Sequence, residues 1–403
     1  MPWYSPEFIA AIPKTDLHVH LDGSLRLQTL IELAKAANVQ LPAPDAAGLR
    51  AIVFKESYAN LDEYLRGFGL TCACLQTAKA LERVAGELME DNAAEGVRYI
   101  EVRFAPQLHM SKKLTFTEVM QAVDKGLRTA RDKLNQKLAA GEPPYEYGII
   151  ACAMRFFTPA FSEYYADFYR VHQFSSQIEI IKGASLELAK AIVQLRDQSD
   201  IQIVAFDLAG SEYGYPASDH SESYAYVNKY FIDKTVHAGE AFGPESIFQA
   251  VTKLHSDRIG HGLHLFNADL IHHTAIVNRQ KYIENLVNYL ADRRITIEVC
   301  LTSNLQTSPE LGGLAKHSLR QMLEHKLSVS FCTDNRLVSN TTVSAEILLA
   351  LDNFEIDAKT LKNIIIYGFK RSFYFHNYPQ KRAYVRQIIN YYEKKEQQFG
   401  IMA

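Results

Sequence analysis

No window of the sequence approaches the roughly 18 consecutive apolar residues of a membrane-spanning helix, so no segment is a candidate for crossing a bilayer. An excess of positive charge is missing too. Lys and Arg total 43 against 46 Asp and Glu, a formal net charge of −3, which lacks the basic footprint of a protein that coats nucleic acid or docks on anionic lipid. Neither nucleic acid nor a membrane is expected as a partner. The five cysteines, Cys72, Cys74, Cys152, Cys300 and Cys332, form no Cys-x-x-Cys pair, which removes thiolate zinc clusters and thioredoxin-like redox chemistry. Three of them stand inside apolar runs as small buried hydrophobes, and the odd, scattered set suits a reducing cytoplasm. The N-terminal segment has no basic stretch followed by a long apolar one and reads as unprocessed. Linkers rich in Ser, Gly or Pro, low-complexity tracts and repeats are absent as well. The 403 residues would permit two or three domains at ~150 residues each, but one embellished domain over 1–403 is the simpler reading.

What is present is material for a large core: 47% apolar and 22% charged residues, close to the globular average. Eight short runs rich in Val, Ile and Phe alternate with longer segments of helical period. They are TDLHVHLDG (15–23), VRYIEVRFAP (97–106), YGIIACAMR (147–155), IQIVAFDLAG (201–210), KTVHAGE (234–240), RIGHGLHL (258–265), ITIEVCLTSN (295–304) and LSVSFCTDN (327–335). Eight βα units predict a (β/α)8 TIM barrel. Helices are expected over 27–37, 80–94, 244–254 and 279–294, and a capping box of Thr115 with Glu118 predicts another running toward Leu138. From about Ala345 the chain reads as all-helical. One run, QIEIIKG (177–183), alternates like a strand; a ninth barrel strand there would leave too little chain for a crossover. The region from about Thr158 to Gly183 is therefore expected to be an insertion between the third and fourth units.

The polar residues gather at the ends of these runs. His18 and His20 follow the first, His237 and Glu240 the fifth, His261 the sixth and Asp334 the eighth. In a (β/α)8 barrel these C-terminal strand ends converge on one mouth, where the chemistry sits. On a strand, His-x-His points two imidazoles to the same face, half of a divalent metal site, although a pair of hydrogen-bonded core histidines has the same pattern. His237 and Asp334 complete a set of three His and one Asp, an N/O donor set of the zinc type that needs no Cys. The fourth run ends in Asp207-Leu208-Ala209-Gly210 and offers no lysine to bridge a second metal. Glu240 is either a carboxyl held neutral in a closed pocket to pass a proton to substrate or a helix-start glutamate. His261 is a second base or a core hydrogen-bonding group. A cytidine-deaminase site is excluded: His220-Ser221-Glu222 supplies His-x-Glu, but no Pro-Cys-x-x-Cys follows.

The segments TDLHVHLDGSL, YIEVRFAP, DLAGSE, HAGEAFGPESI, RIGHG and CTDN, in this order, resemble the adenosine deaminase family of metal-dependent amidohydrolases, from about Pro13 to the final helices. The resemblance implies one zinc ion held by His18, His20, His237 and Asp334, with its water activated toward neutral pH. It implies that Glu240 protonates purine N1, that His261 and Asp334 orient the attacking water and help take its proton, and that the Gly210 N–H contacts purine N3. It gives Asp22 the ribose 5′-hydroxyl, where relatives acting on free adenine carry Glu, and places Tyr64, Leu65 and Phe68 in an apolar lid, for which an ordinary amphipathic helix face is the alternative. Arg103 and Arg155 are given no catalytic role. The implied reaction is hydrolysis of adenosine and 2′-deoxyadenosine to inosine and 2′-deoxyinosine plus ammonia. The implied partner is thus a small-molecule purine nucleoside.

Three features depart from the family pattern. Asn335 stands where many members have an Asp contacting purine N7; its amide can donate to that acceptor at any pH. The 158–183 region and the tyrosine-rich loop 211–226 are the others. A deaminase of another 6-aminopurine, free adenine or a modified nucleoside, and a nucleoside-binding relative without catalysis remain the alternatives.

Overall fold

The computed structural model describes residues 4–401. Its sheet has eight parallel strands in the order of the sequence: β1 Lys14–His20, β2 Val97–Phe104, β3 Glu146–Met154, β4 Ile203–Ala209, β5 Asp233–Ala238, β6 Arg258–His261, β7 Thr296–Val299 and β8 Ser328–Phe331. Each falls on one of the eight apolar runs, starting at most one residue before it, as expected for strands covered on both faces. The first and last meet through a single bridge: the His20 N–H donates to the Asp334 carbonyl at 2.7 Å and the Asp334 N–H to the His18 carbonyl at 2.8 Å. The architecture is a nearly closed (β/α)8 barrel.

Helices occupy Leu27–Ala37, Ala78–Ala94, Pro244–Thr252 and Arg279–Arg293, within two residues of the periodic segments. Phe116–Asn135 opens on the Thr115–Glu118 capping box, whose reciprocal bonds satisfy two N–H groups that the first turn leaves free. Val343–Asn353, Ala358–Arg371 and Tyr378–Gln398 form the helical C-terminal part.

Two local readings change. QIEIIKG is not extended; it opens the helix Gln177–Gln198, the crossover between β3 and β4. A second capping box, Ser176 with Glu179, fixes that start, and Ile180 and Ile181 are buried as neighbours on a helical face. Only the helix Glu163–Val171 precedes it between β3 and the crossover helix. The seventh run is also two elements, since the chain turns from β7 into the helix Leu301–Thr307.

The barrel interior is charged as well as apolar. Glu101, Arg103, Asp207, Arg258 and Glu298 are all buried and form a chain of ion pairs, Glu101–Arg258–Glu298–Arg103–Asp207. Removing one member would leave an uncompensated buried charge, at a cost of about 3–5 kcal/mol. Beneath it, the segment after the helix Ala358–Arg371 seals the N-terminal end of the strands: the Phe373 N–H donates to Glu101 at 2.5 Å and the Tyr99 hydroxyl to the Phe373 carbonyl at 2.9 Å. The opposite end is left for the cavity.

Candidate active site

A cavity of about 630 Å³ opens at the C-terminal ends of the strands, bordered by His20, Asp22, Gly210, His237, Glu240, His261, Asp334 and Asn335. Strand ends and the turns that leave them supply each of these side chains. Asp334 and His261 hold left-handed backbone angles, φ 58° and 66°, sparsely populated for non-glycine residues and characteristic of functional turns.

One ligating atom from each of His18, His20, His237 and Asp334 lies within 4.8 Å of the other three. The Nε2 atoms of His20 and His237 are 3.1 Å apart, and Asp334 Oδ1 stands 3.3 Å from His18 Nε2 and 3.5 Å from His20 Nε2. The second nitrogen is occupied in two of the imidazoles: His18 Nδ1 faces Glu298 Oε2 at 2.8 Å, and His237 Nδ1 faces Asp207 Oδ2 at 3.1 Å. Carboxylates so placed accept a hydrogen bond from Nδ1–H and turn the Nε2 lone pair inward, the outer support that metal-binding imidazoles use. His18 Nε2 is a buried atom without a hydrogen-bond partner, a lone pair suited to a cation.

The electrostatics point the same way. Burial lowers His20 to about 3 and also lowers His237, which favours neutral imidazoles at both positions. Burial and Arg103 act downward on His18, but the nearby carboxylates of Asp334 and Glu298 outweigh them and raise it, marking a place that favours positive charge. Against burial, the close approach of His18 and the other neighbouring imidazoles hold Asp334 well below the usual carboxylate range. Its other oxygen, Oδ2, accepts from Ser303 Oγ at 2.6 Å. The donor chemistry, the orphaned nitrogen and the supporting carboxylates fit a divalent ion.

Glu240 lies four residues before the helix Pro244–Thr252, not at its start. Burial, the Asp334 charge and Glu212 push its carboxyl well above the usual range, which favours the protonated form. His261 Nε2 is 3.6 Å from Glu240 Oε1.

Asp22 has one buried oxygen without a partner, while the other lies 3.7 Å from His109 Nε2 and 3.8 Å from Cys72 Sγ. Gly210 takes φ +98°, a conformation that side chains resist, and presents bare backbone to the cavity. Asn335 Nδ2 donates to the Tyr64 hydroxyl at 2.8 Å, and its Oδ1 would lie 1.8 Å from any Cβ at position 23, so Gly23 is required. Tyr64, Leu65 and Phe68 line the cavity from the helix Leu61–Cys74.

Sequence reasoning missed three carboxylates. Asp207 and Glu298 hold the imidazoles; a charged residue in the middle of a buried strand such as Thr296–Val299 needs a partner, and that need was the available signal. Glu212, in the loop after β4, accepts hydrogen bonds from the N–H groups of Gly239, Glu240, Ala241 and Phe242 at 2.8–3.0 Å and from the Ser246 hydroxyl, fixing the loop that carries Glu240. Arg103 bridges Asp207 and Glu298, and Arg155 Nη2 donates to the His237 carbonyl at 2.6 Å.

Comparison with known proteins places this geometry in a family. The adenosine deaminase model matches residues 13–173 and 178–391. The chain belongs to the adenosine deaminase family. Adenosine deaminase 1 of Streptomyces coelicolor is 33% identical over 392 residues, 96% of this chain and 88% of that protein. A probable adenosine deaminase of Dictyostelium discoideum is 34% identical over 91% of this chain, which spans 41% of that longer protein. Among solved structures, the adenine deaminase of Arthrobacter aurescens superposes with a TM-score of 0.73 at 20% identity, covering 95% of this chain and all 100% of the other. The N6-methyl-AMP deaminase of Arabidopsis thaliana gives a TM-score of 0.71 at 23% identity, covering 96% and 98%. These two share the fold. As an adenosine deaminase family member the protein is a hydrolase that deaminates purines. No helix among the described residues is long and apolar enough to cross a membrane.

Proposed function

We propose that the protein is a single-domain, cytoplasmic, zinc-dependent deaminase of adenosine and 2′-deoxyadenosine. The observation that carries this reading is the convergence of three imidazoles and Asp334 beside the buried carboxyl of Glu240 in the cavity. His18, His20, His237 and Asp334 would hold the metal, and zinc suits a set of nitrogen and oxygen donors. A bound zinc ion supplies the Lewis acidity that makes water nucleophilic near neutral pH.

The protein's own groups direct the rest. Glu240 gives its proton to ring N1, which draws electron density from C6 and opens it to attack. Asp334 and His261 orient the attacking oxygen. The exocyclic nitrogen leaves as ammonia, so adenosine and water become inosine and ammonia. The Gly210 N–H donates to N3, and Asn335 faces N7 with its amide. Asp22 offers its free oxygen to the 5′-hydroxyl, and a carboxylate there repels a 5′-phosphate, which favours a nucleoside over a nucleotide. The five unpaired, buried cysteines support the cytoplasmic reading.

Initial rates with adenosine, adenine and 5′-deoxyadenosine, followed by the loss of absorbance on deamination, test this assignment. Adenosine is expected to be the best substrate, with 5′-deoxyadenosine ~10-fold or more lower in kcat/KM for want of one charge-assisted hydrogen bond. Adenine as the better substrate would overturn the nucleoside assignment.

A further inference from the structure

Behind His261 lies a relay of hydrogen bonds that begins on a group with only one possible role. The Leu319 backbone N–H can only donate, and it donates to His317 Nδ1 at 3.0 Å. His317 is buried and neutral, its pKa lowered to about 4 chiefly by burial. Its single ring proton is therefore on Nε2, which faces Asn304 Oδ1 at 3.1 Å. With that oxygen engaged, Asn304 turns its Nδ2 to His261 Nδ1, also at 3.1 Å. An amide nitrogen has no lone pair to offer, so His261 Nδ1 accepts. A neutral His261 then carries its proton on Nε2, the buried atom without a protein partner that points toward Glu240.

The alternatives fail on donor count. Reversing the Asn304 amide would press its N–H against His317 Nε2–H. Protonating His261 Nδ1 would press one donor against another. Asn304, His261 and His317 are at most 2% exposed, so water is not at hand to relieve either clash. Asn304 comes from the helix Leu301–Thr307, and His317 stands two residues before the helix Leu319–Glu324; neither borders the cavity.

We propose that Asn304 and His317 are positioning residues that hold His261 as the Nε2–H tautomer, so that His261 serves the reaction as a hydrogen-bond donor to the attacking oxygen and not as a base. The inference rests on the deaminase reading for its catalytic meaning. It narrows the chemistry of that reading: in this tautomer Nε2 has no lone pair with which to take a proton, and proton handling falls to the carboxyl groups of Asp334 and Glu240.

The test is a long-range 1H–15N correlation spectrum of the holoenzyme labelled with 15N-histidine, with the His261 signals assigned by their loss in His261→Gln. The expected spectrum shows His261 Nδ1 as an unprotonated ring nitrogen and Nε2 as a protonated one; the reverse pattern, or two protonated nitrogens, overturns the relay. The variant Asn304→Asp supplies two acceptors at nearly the same shape, and is expected to exchange the two signals. In it, kcat for adenosine should fall ~10-fold or more, the scale of one hydrogen bond to a charged group, while KM stays within ~3-fold and metal content is unchanged. Exchanged signals with wild-type kcat would remove the catalytic role. If the wild type deaminates no purine, the deaminase reading fails, while the ring-nitrogen pattern of the wild type still decides the relay even should the variant not fold.

Discussion

His18 Nδ1 lies 2.8 Å from Glu298 Oε2, joining the first strand's candidate ligand to the seventh strand's carboxylate across the barrel floor. The same Oε2 accepts from Arg103 at 2.9 Å, and Oε1 accepts from Arg258 at 2.7 Å and from Thr235 at 3.1 Å. Arg103 and Arg258 overcome the effect of burial and keep Glu298 ionised, its pKa well below the usual range. An ionised Glu298 fixes both the tautomer and the orientation of His18.

Replacing Glu298 by Gln should therefore weaken metal affinity ~10–100-fold, the usual effect of losing such an outer partner. Competition with a chromophoric chelator measures it on protein shown to be folded by circular dichroism. Unchanged affinity would make Glu298 a counter-ion for the two arginines and nothing more.

Glu240→Gln keeps size and polarity but removes the proton that a buried carboxyl holds at neutral pH. Turnover of adenosine should drop by at least ~100-fold, the lower range for a positioned proton donor, with metal content intact. Near-normal turnover would remove Glu240 from the reaction.

Glu346, in the helix Val343–Asn353, is pushed up to about 7 by burial, which outweighs its bonds from Thr302 and Thr341. A carboxyl raised on folding binds more protons in the native state. Its contribution is complete below the unfolded value near 4.5 and is lost as pH rises toward about 7, on the order of 3 kcal/mol. Urea midpoints at pH 5 and pH 8 should thus differ less in Glu346→Gln than in the wild type. Equal differences in the two proteins would show that Glu346 titrates normally.

The strands were legible because parallel strands buried on both faces read as apolar runs, and the helix Leu27–Ala37 because one face alone is apolar. Where no change in hydrophobicity marks a boundary, the reading slipped: the seventh run passes from strand into helix at Leu301, and its helical part carries Ser303 and Asn304. QIEIIKG misled because alternation over seven residues also fits the start of a helix. His18, His20, His237, Glu240, His261 and Asp334 stood out as polar residues at strand ends. Asp207, Glu212 and Glu298 did not, since each acts only through a partner far away in the chain and no local spacing records that; His317 did not, because it stands away from the strand ends and reaches the site only through Asn304.

The junction between the first and last strands has a bearing on when the protein becomes competent. His18 and His20 leave the ribosome early, yet two imidazoles alone make a poor grip, and the fourth donor is also the residue whose backbone fastens the ring. A chain stopped before position 334 has neither the clasp nor the fourth member of the candidate donor set. Ring closure and assembly of the site thus depend on the same late-synthesised residue.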